Sequence, residues 1–416
     1  MHVSGHPALI YILAIYSIVF LFKAKTKNEF LLILLLFVFF IERNSWQNGI
    51  TSLTTTPIRT QPTDIALILL LIFVALRKFN KTVFSPLFFR NWIVGLFIGF
   101  IILSTLIGVI RFGYPGIAEF RSVFFYIIIM VFISVHVKRE EILPLIKTIT
   151  TYLIPFILLA PINLILTNNY SFNLANRQFG ALMYETITLG FLAGFLYYQF
   201  VDKRYRLVLY FFPIYVLTIP YTSHRTTWAI LLATIPFVFL WLRNKKYLVF
   251  VIIVGMLVAV IIQIDTLFLQ QRFTAITDFS EDVTGSWRLL IWNAVIDQAT
   301  FFGNGLGARF IVYANVIGWQ ALAGAHNGFI QTLYYMGYLG MGILITFISS
   351  FVLNSYQNFQ AKGLTKEQTM IHRLSFLSSI ALIMYMMGYG ADVLSWVFIS
   401  FSLKLSAYRE LKSKAI

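Results

Sequence analysis

The chain has no cysteine, which excludes disulfides, thiolate chemistry and cysteine-ligated metals. It is also poor in charge. Asp, Glu, Lys and Arg make up 12% of its 416 residues, about half the share in an ordinary soluble domain. Against that scarcity stand 59% hydrophobic and 17% aromatic residues and a mean hydropathy of +0.81. These values rule out a soluble globule and lead us to expect an all-α polytopic membrane protein. Acids are scarcer than bases, 16 against 32, for a net charge of +16. In a soluble chain that excess would suggest nucleic acid; in a membrane chain it first reports topology.

Apolar runs near the roughly 20 residues of a membrane helix begin around Ala8, Phe30, Ile65, Trp92, Ser122, Leu143, Ala181, Leu207, Thr226, Tyr247, His326, Leu374 and Val393. About 12–13 transmembrane helices are therefore expected. The run Phe30 to Ile41 is short, and Leu374 to Leu405 is interrupted by Gly388-Tyr389-Gly390-Ala391-Asp392. The opening residues Met1 to His6 lack the basic region of a signal peptide, so the first helix is expected to remain a span. The chain shows no internal repeat, low-complexity tract or separate soluble domain, and residues 1–416 are expected to form a single membrane domain.

The loops alternate in character. Lys23 to Lys27, Arg77 to Arg90, Lys138-Arg139, Lys203 to Arg206, Arg243 to Lys246, Lys362 to Arg373 and the tail Lys404 to Lys414 are basic. The positive-inside rule makes these loops cytoplasmic, with the N-terminus outside and the C-terminus inside. The inner face then holds fifteen lysines and eight arginines against six acids, a balance of +17, and leaves about −1 on the outer side.

Lysine is missing from that outer side. Its nine cations are Arg43, Arg59, Arg111, Arg121, Arg177, Arg225, Arg272, Arg288 and Arg309. Lysine would solubilise a loop as well as arginine does, whereas guanidinium is the group that grips phosphate bidentately. Phosphate or pyrophosphate recognition by at least two of the nine is one reading. The other is that translocated loops shed lysine and keep arginines as structural ion pairs. For Arg111, Arg121 and Arg177 the expected ion-pair partners are Glu119 or Glu185.

The longest expected loop is an external segment of 61 residues from Asp265 to Ala325, a length that is usually functional. Within it Thr284-Gly285-Ser286 is expected to cap a helix over Trp287 to Thr300, with Arg288, Trp292, Val295 and Ala299 on one stripe. That helix is too short to span and is expected to lie in the interface, its tryptophans at headgroup depth. Gly303-Asn304-Gly305-Leu306-Gly307 follows, ahead of Arg309. It reads as a tight turn, with anion contact through backbone N–H groups as the lesser alternative. Ala325-His326-Asn327-Gly328 then opens a long helix. His326, Ile330, Leu333, Gly337 and Gly340 share one face of it, and the two glycines are expected to admit a neighbouring helix. A lone histidine there is otherwise a hydrogen-bonded packing residue. Glu185 and Asp392 lie within or between apolar runs without an assignable role. His136 and His372 face the cytoplasm, and the pair His2 and His6 falls in the terminus.

Three stretches read together in order. Ser223-His224-Arg225-Thr226-Thr227-Trp228 sits at an outer helix start. Gly285-Ser286-Trp287-Arg288-Leu289-Leu290-Ile291-Trp292 leads into the glycine run. Ala325-His326-Asn327-Gly328-Phe329 precedes Gly337 and Gly340. This ordered set resembles the bacterial O-antigen ligase and O-antigen polymerase superfamily, specifically from about Thr222 to Phe347 and loosely over the whole topology. The expected span count is one higher than in many ligases. The resemblance implies action on glycans carried by undecaprenyl pyrophosphate at the periplasmic face of the bacterial inner membrane, with no metal, nucleotide or other cofactor. It implies that Arg225 and Arg288 hold the pyrophosphate and that His326 acts on the acceptor hydroxyl. Weaker candidates for the pyrophosphate or glycan are Arg309, Arg177, Arg121, His224, Trp292 and Asn327. The implied partners are the lipid-linked oligosaccharide, membrane lipid, and a chain-length regulator and flippase of the same pathway.

The residue chemistry agrees with that implication. A departing pyrophosphate needs charge stabilisation, which fixed guanidinium groups supply, and a histidine titrating near neutrality suits a hydroxyl proton. No external carboxylate pair or histidine-rich set has metal spacing. An O-antigen polymerase is the favoured activity, an O-antigen ligase acting on lipid A core the alternative. A lipid-linked oligosaccharide flippase is the rival from another class; it would carry midplane charges and an internal repeat.

Overall fold

The computed structural model describes residues 7–47, 62–76, 92–166, 184–205, 225–241, 283–309, 312–313, 320–321, 327–388 and 392–414. These residues are almost wholly helical. The helices are α1 (Pro7–Phe22), α2 (Lys27–Gln47), α3 (Pro62–Leu76), α4 (Trp92–Phe112), α5 (Tyr114–His136), α6 (Ile142–Leu166), α7 (Tyr184–Phe200), α8 (Arg225–Leu240), α9 (Val283–Asp297), α10 (Gly328–Gln360), α11 (Lys366–Gly388) and α12 (Val393–Lys414). One antiparallel pair of two-residue strands, β1 (Val312–Tyr313) and β2 (Gln320–Ala321), lies between α9 and α10.

Among the described residues five helical stretches are long and apolar enough to cross a membrane: Trp92–Phe112, Tyr114–His136, Arg139–Leu159, Gly328–Gln360 and Lys366–Met387. Ala8–Phe22, Asp64–Phe73, Ala229–Val238 and Val393–Ser406 are shorter apolar helices. Large apolar side chains such as Tyr11, Phe22, Trp92, Ile110 and Leu232 are exposed on their outer surfaces, as a lipid-facing bundle requires. The fold is thus all-α and polytopic. The segments expected at Leu207 and Tyr247 lie outside the described residues.

Several boundaries differ from the sequence expectation. The short run at Phe30 belongs to a 21-residue helix, α2. Its start is fixed by a capping box: Thr26 Oγ1 accepts from Glu29 N at 3.1 Å, and Glu29 Oε2 accepts from Thr26 N at 3.3 Å. Helix α5 begins at Tyr114, well before the expected Ser122. A single residue, Gly113 at φ 68°, turns the chain out of α4, and Pro115 stands in the first turn of α5. Charge ended the apolar run in the sequence, yet a charged residue does not break a helix, so Glu119 and Arg121 sit inside α5. The interrupted run after Leu374 is two helices. Asp392 opens the second, its Oδ2 accepting from Ser395 N at 3.1 Å.

Buried hydroxyls in such a bundle have little water to meet, and they bond back to the carbonyl one turn earlier. Ser17 donates to Leu13 O, Ser134 to Met130 O, Thr234 to Ile230 O and Ser400 to Trp396 O, each at 2.6–2.7 Å. The larger apolar core joins α1, α2, α3, α5, α6, α7, α8, α11 and α12. A second joins α4 and α10 with parts of α5, α11 and α12. It lies beside the candidate site.

One end of the bundle gathers the basic loops. Asn28 reaches His136 O and Glu141, Thr150 meets Tyr205, and Arg373 lies over the rings of Phe200, Trp241 and Phe359. The connections at Lys23–Lys27, Lys138-Arg139, Lys203-Arg204 and Lys362–Arg373 therefore share a side, as their charge led us to expect. The other end carries α9, the glycine run and the start of α10.

Candidate functional site

Helix α10 breaks inside the second apolar core, and that break organises the loop end. Gly337 takes φ 72° and ψ −175°, a conformation open to glycine and strained for residues with a Cβ. Leaving the helical path withdraws two acceptors, Tyr334 O and Tyr335 O, from their usual donors Tyr338 N and Leu339 N. Four unpaired backbone groups in an apolar core would cost several kcal/mol, about 1–3 for each. The segment after α9 supplies all four partners. Tyr338 N donates to Thr300 O at 3.3 Å and Leu339 N to Phe301 O at 3.2 Å; Asn304 N donates to Tyr334 O at 3.0 Å and Gly305 N to Tyr335 O at 2.9 Å. The loop is spliced into the helix as a missing strand of backbone.

The glycines at alternate positions follow from this seat. Gly303 faces the α10 backbone at Tyr335–Gly337, Gly305 faces Gly108 of α4, and Gly307 faces Pro115-Gly116 of α5. Each approach is too close for a Cβ. Leu306 N donates to Ser104 O at 3.0 Å and Ala308 N to Gly305 O at 3.2 Å, while Ser104 Oγ donates to Tyr335 O at 3.0 Å. The N–H groups of Asn304, Gly305, Leu306 and Ala308 thus point to carbonyls. The tight-turn reading holds, and the anion alternative loses those donors. Gly337 admits this loop, where a neighbouring helix was expected; Gly340 abuts Phe100 of α4.

Helix α9 begins at Val283 and ends at Asp297, so Thr284-Gly285-Ser286 lies in its first turn and Ala299 beyond its end. Its buried side chains are Ile291 and Val295, which pack with Ala308 and Tyr334, and Trp292 joins them half-buried. Of the expected stripe, Val295 is buried and Arg288 and Trp292 are half-buried, with Ile291 added to the face that meets α10. Arg288 is half-buried one turn before Trp292. Arg309 is exposed, and its carbonyl accepts from Tyr334 Oη at 3.2 Å. Asn327 caps α10, its Oδ1 accepting from Phe329 N at 2.9 Å and Ile330 N at 3.1 Å. Arg309, Trp292 and Asn327 are thereby brought around the first two turns of α10, with Arg288 one turn back along α9.

The remaining site residues fall elsewhere. Arg225 opens α8, with its side chain outside the described residues; His326, His224 and Arg177 also lie outside them. Arg121 is held by Asp64 of α3, with Nη1 and Oδ2 2.7 Å apart. It has the ion-pair role that competed with anion binding, with Asp64 as its salt-bridge partner, and its charge also acts on Glu119, one of the two acids expected. Glu185 is buried near the start of α7. Asp392 is buried too, and accepts from Thr186 Oγ1 at 2.6 Å, tying α12 to α7.

Below the start of α10 lies a cavity of about 280 Å³ between α4, α5, α10, α11 and α12. Its polar lining is Glu119, Gln331, Thr332, Tyr335, Tyr385 and Trp396. Sequence reasoning missed these as a group, since they come from four helices. The legible signal was Gln331, an amide one helical turn past Asn327 in an apolar run. Among the described residues no three of His, Asp or Glu gather as metal ligands.

These features define a polytopic all-α membrane protein with a loop wedged into one broken helix. Residues 208–347, about a third of the chain, match the protein-family model described as O-antigen ligase. The matched interval contains Arg225, Arg288, the glycine run, His326 and Gly337, so the resemblance to the O-antigen ligase and polymerase superfamily holds over that interval, and the matching family indicates glycan transfer of that kind at the family level. No curated protein matches the chain.

Proposed function

We propose that this protein is an O-antigen or surface-polysaccharide polymerase of the bacterial inner membrane. In this reading it transfers glycan from undecaprenyl pyrophosphate to a hydroxyl of a lipid-linked repeat unit at the periplasmic face. The basic end of the bundle is cytoplasmic, and residues 265–325 form the periplasmic loop that carries the site. The observation that carries the reading is the family match at 208–347, which encloses all three residues assigned to the chemistry.

In the reaction, the acceptor hydroxyl gives its proton to His326 as its oxygen attacks the anomeric carbon. Attack from the side opposite the pyrophosphate forms the new C–O bond as the bond to the leaving phosphate oxygen breaks, so configuration inverts. Arg225 and Arg288 neutralise charge developing on the departing pyrophosphate, in a site where water is scarce and such contacts are strong. The half-buried position of Arg288, on a helix seated against α10, supports a fixed guanidinium. No protein metal ion takes part.

A ligase is the second reading, favoured by the description of the matching family model itself. One assay separates the two. The purified protein is incubated with undecaprenyl-pyrophosphate-linked oligosaccharide in EDTA, with and without lipid A core. A ladder of longer lipid-linked products identifies a polymerase, and transfer to core a ligase. Lipid movement across a vesicle membrane without glycosyl transfer rejects both in favour of a flippase.

A further inference from the structure

The cavity under α10 has a polar requirement that its protein lining does not meet. Trp396 lines it, is 6% exposed, and its Nε1–H has no acceptor among the described residues. A buried N–H without a partner costs about 1–3 kcal/mol, which a ligand offering an oxygen would recover. The indole ring is fixed by neighbours: Tyr126 stacks on it at 5.9 Å, and Phe347 and Phe351 lie at 6.1 and 6.4 Å. With the ring so packed, its N–H edge is the functional part.

The rest of the lining narrows the ligand class. Among the described residues the lining holds Glu119 and no Lys, Arg or His, which disfavours phosphate or pyrophosphate in this chamber. A bare isoprenoid would fill the apolar walls but offer the indole no acceptor. A neutral polyhydroxylated ring satisfies both constraints, and 280 Å³ suits one ring, being at the lower edge of the roughly 300–1,000 Å³ of small-molecule pockets. Gln331 Nε2 donates to Tyr335 Oη at 3.3 Å, leaving the tyrosine hydroxyl proton to point elsewhere. Thr332 Oγ1 donates to Gly328 O at 2.7 Å and keeps its lone pairs to accept.

We propose that this cavity is a sugar-binding subsite, in which Trp396 Nε1–H donates to a ring or hydroxyl oxygen and Glu119 accepts from a sugar hydroxyl. The proposal rests on the glycan-transfer reading and names where one sugar of that glycan sits.

The test uses the full chain in detergent and saturation-transfer NMR with methyl glycosides of hexoses and N-acetylhexosamines. Inorganic pyrophosphate and undecaprenyl phosphate are the comparison probes. At least one glycoside is expected to bind, and to bind roughly tenfold more weakly to Trp396→Phe, the size of one lost hydrogen bond. Glu119→Gln is expected to weaken the same glycoside, with the phosphate-bearing probes unchanged by either substitution. Thermal unfolding of Trp396→Phe at the wild-type temperature certifies its fold. Binding of no glycoside, as in a cavity holding only water, overturns the proposal. So does binding indifferent to Trp396→Phe, or undecaprenyl phosphate lost in that variant. In the transfer assay, a raised KM for acceptor or donor assigns the sugar to that substrate. If transfer is absent but glycoside binding depends on Trp396, the reaction assignment fails and the subsite stands.

Discussion

The two ends of the bundle solve the same problem, polar groups next to lipid, in opposite ways. At the basic end the polar groups are tied off locally. Capping boxes close α2 and α11, the latter through Thr365 and Gln368. His372 Nδ1 meets Ser402 Oγ at 2.7 Å, Lys404 donates to Ser134 O, and Tyr205 Oη shares Thr150 and Thr151 at 3.0 Å. Even the Arg373 guanidinium, whose Nε lacks an acceptor, is packed over three aromatic rings. At the loop end a helix is broken, a distant segment repairs it, and a tryptophan with an unmatched indole N–H among the described residues lines a cavity. Regular helical structure at one end supports irregular structure at the other, the distribution expected when the irregular end binds and reacts.

The sharpest way to break this contrast is to remove the groups proposed to carry the reaction. His326→Ala is expected to lower turnover on the order of 10²–10⁴-fold while donor binding survives, measured by lipid-donor binding beside transfer. Arg288→Lys keeps charge but loses the planar fork, and a loss of about 10²-fold or more is expected. Near-normal transfer by either variant, correctly inserted, would remove the chemical role assigned to that end.

Next in size is the splice. Gly303→Ala adds a Cβ at φ 87°, where it would meet the backbone of Tyr335 to Gly337. Backbone strain alone is worth about 1–3 kcal/mol, and the collision must also displace the loop from α10. We expect a clear drop in unfolding temperature and near-complete loss of transfer. Gly363→Ala, at φ 80° but with open space around it at the basic end, should cost only about 1 kcal/mol and leave transfer intact. Equal damage from both would dissolve the distinction between the ends.

What the sequence made legible follows the same division. Apolar runs and basic loops depend on local composition, so the helices and the shared side of the basic connections could be read directly. Arg288, the glycine run and the start of α10 stood out because charge and glycine are rare in an apolar chain. The splice at Gly337 could not be read, because its hydrogen bonds join residues some 30 or more positions apart; it looked like a face for helix packing. The cavity was hidden for a related reason, since Glu119, Gln331, Tyr385 and Trp396 come from four helices and none carries a motif. Asp64 was missed as the partner of Arg121, because an acid at a helix start reads as a favourable dipole contact and nothing more.

The ion pair Arg121–Asp64 tests whether every outer arginine shares the anion-binding role. Asp64 is buried and the pair lies at 2.7 Å, so Asp64→Asn is expected to cost roughly 3 kcal/mol by removing the charge that the partly buried Arg121 guanidinium pairs with. The double exchange Asp64→Arg with Arg121→Asp restores opposite charges at the same contact. If Arg121 only links α5 to α3, the exchange recovers much of the stability lost in either single reversal, and transfer with it. If Arg121 also grips the pyrophosphate, stability returns and transfer does not.

The smallest effect belongs to the basic end. Ser402→Ala removes one partner of His372 Nδ1 in a buried contact, and the cost should be about 1 kcal/mol, that of a neutral hydrogen bond. Transfer should be unchanged, because the contact lies at the opposite end of α11 and α12 from the cavity. A KM or turnover change in Ser402→Ala with little change in unfolding temperature would show that the two ends are coupled through those helices. The division of labour between a tied-off end and a reacting end would then be a property of the static fold alone.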